Sequence, residues 1–246
     1  MRNIANKIYW VVGASDGIGY DLVKKLDKLG VSLIISARNK TRLLHLSKSI
    51  DKQVKVVPCD VTDIDSVKSA FASVGKIDGV VYLAGDYTPM HAQDWNEQEV
   101  IKMADTNFMG ALRVLGTCVP GFVERDEGHI VIIGSLAGFT GLQGSIGYGA
   151  SKAALMHLAE NLSADFYQSK IRVQLFNPGF VDTKLTLKNK FYMPFKMSTE
   201  RAAVIIANGM LTNKSVINFP WLFSLIFRIG RILPIKYSIF GRKNNI

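Results

Sequence analysis

The chain has 246 residues, of which 48% are hydrophobic and 20% are charged. This apolar fraction is too high for a disordered chain and supplies enough material for one sizeable core, so we predict one compact domain. The two cysteines, Cys59 and Cys118, are too few for a disulfide framework and have no metal-ligand spacing. We therefore expect no metal and a reducing, cytoplasmic location. The longest strongly apolar run, residues 219–227, is too short to cross a bilayer.

The net charge of +10 comes from the C-terminal quarter of the chain. Residues 1–183 hold equal numbers of basic and acidic side chains, whereas residues 184–246 hold eleven basic ones and the single acid Glu200. The basic residues are dispersed among apolar ones, and no nucleic-acid recognition motif occurs. We predict no nucleic-acid partner.

Short β-branched and aromatic runs alternate with helical spacing along most of the chain. The first run, residues 7–12, ends at a glycine cluster, and residues 16–29 then carry apolar side chains at helical intervals. Six further runs predict strands at residues 31–36, 54–58, 79–83, 129–134, 171–177 and 215–219. Continuous apolar strands separated by helices predict an α/β fold, a doubly wound, Rossmann-like parallel sheet with helices on both faces. We assign residues 1–246 to this single domain, with an apolar and basic C-terminal extension at about residues 215–246.

A glycine-rich turn joins the first predicted strand to the first helix. Its sequence is Gly13-Ala14-Ser15-Asp16-Gly17-Ile18-Gly19. Glycine allows positive φ and lets the backbone approach a pyrophosphate, whose charge then lies at the positive end of the helix. Because the turn lies in a βαβ unit, the pattern favours a dinucleotide site over an ordinary glycine turn.

The end of the second strand indicates which dinucleotide binds. The NAD fingerprint of such folds places an acid there, about 20 residues after the glycines, to hold the ribose hydroxyls. This chain has Ser36-Ala37-Arg38-Asn39 instead, and a guanidinium suits a 2′-phosphate through charge-assisted hydrogen bonds. We therefore predict NADP(H) and consider NAD(H) less favoured. The alternative is that Arg38 pairs on the surface, and Asp16 places a negative charge nearby.

A second set of polar residues follows the fifth predicted strand. Ser135 lies directly after this strand, and Tyr148 and Lys152 are one turn apart on a predicted helix, so they share a face. A phenol with an ordinary pKa near 10 exchanges protons poorly at neutral pH, and we expect the Lys152 ammonium to lower the pKa of Tyr148. Ser135 could then hold a substrate oxygen while Tyr148 gives or takes its proton.

With these motifs in place, residues 5–212 resemble the short-chain dehydrogenase/reductase family. The resemblance implies that Ser135, Tyr148 and Lys152 are catalytic and that Lys152 also binds the nicotinamide ribose. It further implies that Asn107 holds a water linking the lysine to solvent, and that Asp60 contacts the adenine amine. The residues that we assign to cofactor binding are Gly13, Ser15, Asp16, Gly17, Ile18, Gly19, Arg38, Asp60, Val61, Ala84, Gly85, Tyr148, Lys152, Pro178, Gly179, Val181 and Thr183.

Two departures from the family pattern lie near the glycine turn. Val12 replaces a threonine before the first glycine, and Tyr82-Leu83 replace an asparagine pair before Ala84-Gly85. In the family those polar side chains help tie the first strand to the fourth. We expect packing to replace that hydrogen bond here.

Two C-terminal segments concern the substrate and the partner, and each has more than one interpretation. Residues 184–197 lie where the family has a mobile substrate lid, and their apolar side chains either line a pocket for an apolar substrate or pack on the protein. Residues 219–234 read as a short apolar helix with basic residues at its end. This helix could bury Trp221, Phe223 and Phe227 in an anionic membrane interface, cap the pocket, or form a dimer contact. A peripheral membrane or lipid contact would extend over residues 219–243.

The resulting prediction is an NADP(H)-dependent oxidoreductase that moves a hydride between the nicotinamide and a carbonyl or secondary alcohol. Reduction of an apolar ketone or aldehyde is favoured because NADPH is the predicted cofactor. Family members are commonly dimers or tetramers, so we expect a homo-oligomer. Three alternatives stay open: an NAD-dependent alcohol dehydrogenase of the same family, a non-enzymatic NADP-binding protein, and a peripheral membrane protein whose basic tail is its main function.

Overall fold

One seven-stranded sheet organises the protein, as seen in a computed structural model that describes residues 3–52, 54–189 and 191–232. Every neighbouring pair of strands is parallel, and the order is β3-β2-β1-β4-β5-β6-β7. The strands are β1 (Ile8–Val12), β2 (Ser32–Ser36), β3 (Lys55–Val56), β4 (Gly79–Tyr82), β5 (Gly128–Ile133), β6 (Ile171–Pro178) and β7 (Val216–Phe219). The order confirms the predicted doubly wound parallel sheet.

Helices connect the strands within the described part of the chain. They are α1 (Gly17–Lys28), α2 (Lys40–Ser47), α3 (Ile64–Val74), α4 (Glu97–Ala104), α5 (Gly110–Arg125), α6 (Ile146–Asp165), α7 (Thr199–Met210) and α8 (Trp221–Ile232). A π-helical turn, Asp105–Met109, joins α4 to α5. Such turns inside a helix occur frequently at functional sites, and this one carries a predicted site residue, Asn107.

Two hydrophobic clusters, one on each face of the sheet, explain why the strands are apolar throughout. Along β1, Trp10 and Val12 pack on one face with residues of α3, α5 and α6. Tyr9 and Val11 pack on the other face with residues of α1, α2 and α7. Since alternate side chains of a strand point to opposite faces, a strand covered by helices on both sides needs apolar residues at every position.

The carboxyl ends of the central strands meet at one edge of the sheet. The chain order reverses between β1 and β4, which is where open α/β sheets bind ligands. Main-chain hydrogen bonds fasten this edge. Leu83 donates its N–H to the carbonyl of Val12 at 2.8 Å, and Gly13 donates to the carbonyl of Ser36 at 2.8 Å. The glycine turn therefore lies between the ends of β2 and β4.

The C-terminal part of the chain adds β7 to the sheet and then α8. Because β7 pairs with β6, the part of the extension that lies outside the sheet begins after Phe219. Residues 233–246, with the basic residues Lys236, Arg242 and Lys243, lie outside the described residues. Among the residues that are described, none of the helices combines the length and apolar character needed to span a membrane.

Candidate active site

The glycine-rich turn brings the backbone of β1 to the start of α1 with no side chain in the way. Gly13 has a φ of +97°, and a Cβ here would lie 2.5 Å from the amide nitrogen of Ala84. A Cβ at Gly19 would collide with the Gly13 carbonyl oxygen. Glycine is therefore required at both positions to form this cradle. Asp16 caps α1 by accepting the N–H of Gly17 at 2.9 Å.

A cavity of about 500 Å³ extends from this turn along the carboxyl edge of the sheet. Most of the predicted site residues line it, namely Gly13, Ser15, Asp16, Gly17, Ile18, Gly19, Arg38, Val61, Ala84, Gly85, Ser135, Tyr148, Lys152, Pro178, Gly179, Val181 and Thr183. Two predicted site residues, Asp60 and Asn107, are not among the lining residues. The fold thus brings the glycine turn and the predicted catalytic residues into one pocket.

Asp60 makes hydrogen bonds within its own loop. Its Oδ1 accepts the N–H of Thr62 at 3.0 Å and the hydroxyl of the same residue at 2.7 Å. Its neighbours Cys59 and Val61 line the cavity instead. The contact between the Asp60 carboxylate and an adenine stays a prediction. Across the described residues, no three His, Cys, Asp or Glu side chains are grouped to share a metal ion.

A cluster of charges lies where β2 ends. Arg38 lines the cavity together with Arg42. The Asp16 carboxylate pairs with the Arg42 guanidinium at 3.1 Å and with the Lys184 ammonium at 2.5 Å. Burial alone would raise the pKa of Asp16, but the hydrogen bond from Lys184 and the other contacts lower it overall. Two cations therefore compensate the negative charge near Arg38. Neither partner was predicted, because the pairing depends on the tertiary structure.

Ser135, Tyr148 and Lys152 converge at the end of β5. Ser135 follows the strand and caps the next turn by accepting the N–H of Ala137 at 3.1 Å. Tyr148 and Lys152 lie in the first two turns of α6, with the lysine nitrogen 5.8 Å from the centre of the tyrosine ring. Lys152 is only 5% exposed and donates to the carbonyl of Ile133 at 2.9 Å. The helical spacing of the sequence thus places both side chains on the side of α6 that faces the cavity.

The electrostatics of this pair differ from the prediction that Lys152 lowers the pKa of Tyr148. Burial raises the pKa of Tyr148, and a hydrogen bond with Ser135 opposes this only in part. Burial also lowers the pKa of Lys152 to about 8. The net pKa of Tyr148 thus lies above its ordinary value because desolvation of the phenolate dominates, while the ammonium donates to the carbonyl of Ile133. The stabilising effect of Lys152 on the phenolate stays a prediction. The phenol is therefore protonated at neutral pH, as a proton donor must be, and its proton transfer depends on groups that stabilise the phenolate.

Asn107 lies behind Lys152 in the π-helical turn and is fully buried. Its Oδ1 accepts the N–H of Asp86 at 2.6 Å, and its Nδ2 donates to the Asp86 carbonyl at 3.0 Å and the Ser151 hydroxyl at 2.9 Å. A Cβ at Gly85 would lie 3.5 Å from Asn107 Oδ1 and 3.9 Å from Lys152 Nζ. Because Gly85 has no side chain, a gap separates the two polar groups. The predicted bridging water stays a prediction.

Tyr82, one of the two departures from the family pattern, forms a hydrogen bond that was not expected. Its buried phenol donates to the carbonyl of Thr106 at 2.5 Å, directly before Asn107. The expectation that packing alone replaces a polar contact here was wrong for Tyr82, because its long side chain reaches the π-helical turn. Val12 and Leu83 are apolar as expected, and the main-chain bond between them ties β1 to β4.

The end of the cavity away from the glycine turn is aromatic. It is lined by Phe180, Phe191, Phe223 and Phe227. Ring centroids lie 5.8 Å apart for Phe180 and Phe191, 5.9 Å apart for Phe180 and Phe223, and 5.0 Å apart for Phe223 and Phe227. The last two residues belong to α8 and pack on Leu136. The helix therefore caps the pocket, and the suggestion that Phe223 and Phe227 are buried in a membrane was wrong.

Tyr87 is a cavity residue for which the sequence pattern contains no signal. Its ring meets the ring of Tyr148 edge to face, with centroids 4.8 Å apart. Its hydroxyl donates to Asn189 Oδ1 at 2.6 Å. Tyr87 follows β4 and Asn189 belongs to the predicted lid, so this hydrogen bond connects two walls of the cavity beside Tyr148.

Comparison with known proteins identifies the family. The family model described as short chain dehydrogenase matches residues 7–191. The chain belongs to the short-chain dehydrogenase family. This short-chain dehydrogenase is 34% identical, over 241 residues and 95% of each chain, to an uncharacterized oxidoreductase of Myxococcus xanthus. It is 32% identical, over 222 residues, to an uncharacterized oxidoreductase of Staphylococcus epidermidis, covering 89% of this chain and 96% of the relative.

A solved structure shows the same architecture with a cofactor. The closed form of a serine dehydrogenase complexed with NADP+ superimposes with a TM-score of 0.78 at 25% identity, covering 86% of this chain and 94% of that chain. The family resemblance and the predicted enzyme class are thereby confirmed. The protein is an NAD(P)-dependent oxidoreductase of the short-chain type.

Proposed function

We propose that this short-chain dehydrogenase uses NADPH to reduce the carbonyl group of an apolar ketone or aldehyde. The order of groups along the cavity carries the proposal. The lining residues follow the order of the strands. Arg38 and the glycine cradle follow β2 and β1, Ser135 follows β5 beside Tyr148 and Lys152, and the aromatic wall follows β6 and β7. Oxidation of the corresponding alcohol is the reverse of the same reaction.

The residues at the glycine end fit NADP(H). Gly17 and Ile18 line the cavity at the positive N-terminal end of α1, which suits a pyrophosphate. Arg38 and Arg42 would meet a 2′-phosphate, and the nearby Asp16 is already paired with two cations. The serine dehydrogenase with a similar fold binds NADP+, which supports this choice. When bound, the nicotinamide supplies the hydride.

Tyr148 donates the proton in the reductive direction. Its raised pKa keeps the phenol protonated at neutral pH, and Ser135, which hydrogen-bonds the phenol, is placed to hold the carbonyl oxygen. The Lys152 ammonium stabilises the phenolate that remains after transfer, since an opposite charge in a buried site acts strongly. We also carry over the family roles of Lys152 in binding the nicotinamide ribose and of Asn107 in the proton relay.

The aromatic wall determines the substrate class. Phe180, Phe191 and Phe223 surround the cavity beyond Ser135 and offer no charged side chain to a substrate. Pockets of this kind select ligands mainly by buried apolar surface. We therefore propose a hydrophobic carbonyl compound rather than a small hydroxy acid or a sugar. A homo-oligomeric state and a cytoplasmic location stay predictions.

Turnover of NADPH with a graded series of alkyl and aryl ketones tests the proposal. We expect Tyr148→Phe to lower kcat by about 100-fold or more, because it removes the proton donor. Its affinity for NADPH, measured by tryptophan fluorescence, should stay within about twofold of the wild type. Tyr167→Phe is the control, since Tyr167 is 86% exposed.

The outcomes separate the alternatives. Full turnover by Tyr148→Phe would overturn the assigned proton donor. Equal affinity for NADH and NADPH would favour the NAD-dependent alcohol dehydrogenase. Binding of NADPH without turnover of any ketone would favour the non-enzymatic alternative, against which the complete catalytic set argues.

A further inference from the structure

Helix α8 has two apolar faces, and the described residues cover only one of them. Phe223, Ser224, Phe227 and Gly230 are buried against the protein. The opposite face exposes Trp221, Leu222, Leu225, Ile226, Ile229 and Ile232. Six large apolar side chains in one twelve-residue helix form a contiguous surface that a soluble monomer would not ordinarily leave in water. This surface, which we call the α8 outer face, needs an occupant.

The charge around the α8 outer face indicates the chemistry of that occupant. Arg228 is exposed on the same helix, at one edge of the apolar arc that the helical spacing defines. After Glu200 the chain contains no acid, while seven basic residues follow, four of them from Arg231 onward. An apolar helical face edged by an exposed arginine, in a segment whose charged residues are all basic, is the pattern of a helix that lies in an anionic lipid interface.

A second copy of the chain fits this surface less well. In a two-fold contact the same patch meets itself, so the exposed Arg228 at its edge would be brought toward the Arg228 of the other copy. With no acid after Glu200, the patch and its tail have no acid of their own to pair with those charges. Like charges across an interface disfavour association, whereas anionic headgroups compensate them.

The inner face of α8 contacts the lid beside the aromatic part of the cavity. Phe223 on the inner face contacts Phe195 of the lid, with ring centroids 5.4 Å apart. Phe195, Phe191 and Tyr192 of the lid are themselves exposed. The lid that packs on α8 therefore also exposes aromatic side chains, and one of them, Phe191, lines the cavity as well.

We infer that the α8 outer face, together with the exposed lid aromatics, docks this protein on an anionic lipid surface. The docked protein would take its carbonyl substrate from the apolar phase of that surface, which rests on the proposed function. Of the three membrane anchors suggested by the sequence, the inference keeps Trp221 and excludes Phe223 and Phe227. Trp221 and Ile229 contact lipid, whereas Phe223 and Phe227 hold the helix on the protein.

Co-sedimentation of the full chain with sucrose-loaded vesicles tests the inference. We expect binding to vesicles of phosphatidylcholine with phosphatidylglycerol, weaker binding to phosphatidylcholine alone, and a decrease with added salt. Ile229→Gln should weaken partitioning by about tenfold, since it removes a side chain that lipid would bury. Ile101→Gln is a matched control, because Ile101 on α4 is 57% exposed and Ile229 is 58% exposed.

Tryptophan fluorescence provides a second readout. Trp10 is fully buried, so a Trp95→Phe background makes Trp221 the tryptophan that reports on vesicles. We expect its emission to shift to the blue when anionic vesicles are added. The shift should be absent in Trp95→Phe/Trp221→Phe.

Three results would overturn the inference. The first is the absence of vesicle binding. The second is binding that Ile229→Gln leaves unchanged. The third is self-association without vesicles that Ile229→Gln abolishes, which would assign the face to a second copy. Failure of the proposed function can be distinguished from failure of this inference. A chain without ketone reductase activity could still bind vesicles and lose that binding in Ile229→Gln.

Discussion

The Lys152 ammonium donates a hydrogen bond to the Ile133 carbonyl at 2.9 Å, which fastens the catalytic helix α6 to the end of β5. Ile133 lies two residues before Ser135. The bond therefore sets the distance between Ser135, at the end of β5, and the residues Tyr148 and Lys152 on α6. It also holds a cation in a buried position, where desolvation lowers the pKa of Lys152 to about 8. The contact therefore positions the catalytic residues, while the burial of the ammonium lowers the stability of the fold.

Replacing Lys152 with methionine should stabilise the fold while abolishing turnover. The difference between a folded pKa of about 8 and the ordinary value of 10.5 corresponds to roughly 3 kcal/mol. Loss of the bond to Ile133 offsets about 1 kcal/mol of this. We expect Lys152→Met to raise the free energy of unfolding at neutral pH by about 2 kcal/mol, measured by urea denaturation.

The pH dependence of the free energy of unfolding tests whether the burial of Lys152 causes the higher stability of Lys152→Met. Between the folded pKa of about 8 and the unfolded pKa of 10.5, the unfolded state binds more protons, so wild-type stability rises with pH in this window. The Lys152→Met protein lacks this contribution, so its advantage should shrink over the same range. The exposed Lys68 on α3 supplies the control, Lys68→Met. A gain of equal size in Lys68→Met would contradict an origin in burial.

The rate of ketone reduction should fall as pH rises through about 8. In this range Lys152 loses the charge that stabilises the Tyr148 phenolate, whereas the raised pKa of Tyr148 keeps its phenol protonated. We expect kcat at saturating NADPH to be flat below the pKa of Lys152 and to decrease above it. A kcat that instead rises steadily into the alkaline range would show that Lys152 does not need its proton during reduction.

Arg38 should decide the preference between the two cofactors. A guanidinium hydrogen-bonded to a 2′-phosphate contributes about 1.5–3 kcal/mol, so Arg38→Ala should weaken NADPH binding by roughly 10- to 100-fold. NADH binding should change by less than about threefold, since NADH has no 2′-phosphate. Fluorescence titration with both cofactors measures this. Loss of affinity for both to the same extent would mean that Arg38 supports the loop rather than the phosphate.

The variant Asp16→Asn tests the charge cluster near Arg38 by removing its carboxylate. Asparagine caps a helix as well as aspartate, so α1 should be retained. The substitution releases Arg42 and Lys184 from a carboxylate, and we expect NADPH affinity to stay the same or rise. A weaker affinity would show that the charged cluster itself shapes the site.

The sequence predicts those features that depend on local spacing. Strand β1 is apolar at every position because helices cover both faces, and Tyr148 and Lys152 share a face because they are one helical turn apart. The orientation of α8 could not be predicted, because both of its faces are apolar and Phe223 resembles Ile229 in this respect. The sign of the Tyr148 pKa shift depends on burial, which only the tertiary structure determines.

Removing the Tyr87 hydroxyl should weaken substrate binding more than catalysis. This hydroxyl joins the end of β4 to Asn189 in the lid, while the ring packs on Tyr148. Tyr87→Phe keeps the ring and deletes a hydrogen bond worth about 1 kcal/mol, so we expect KM to rise by roughly fivefold with kcat within about twofold. Tyr167→Phe, at an exposed site, should change neither constant. If kcat fell while KM stayed constant, Tyr87 would act on the proton transfer through Tyr148 rather than on the closing of the lid.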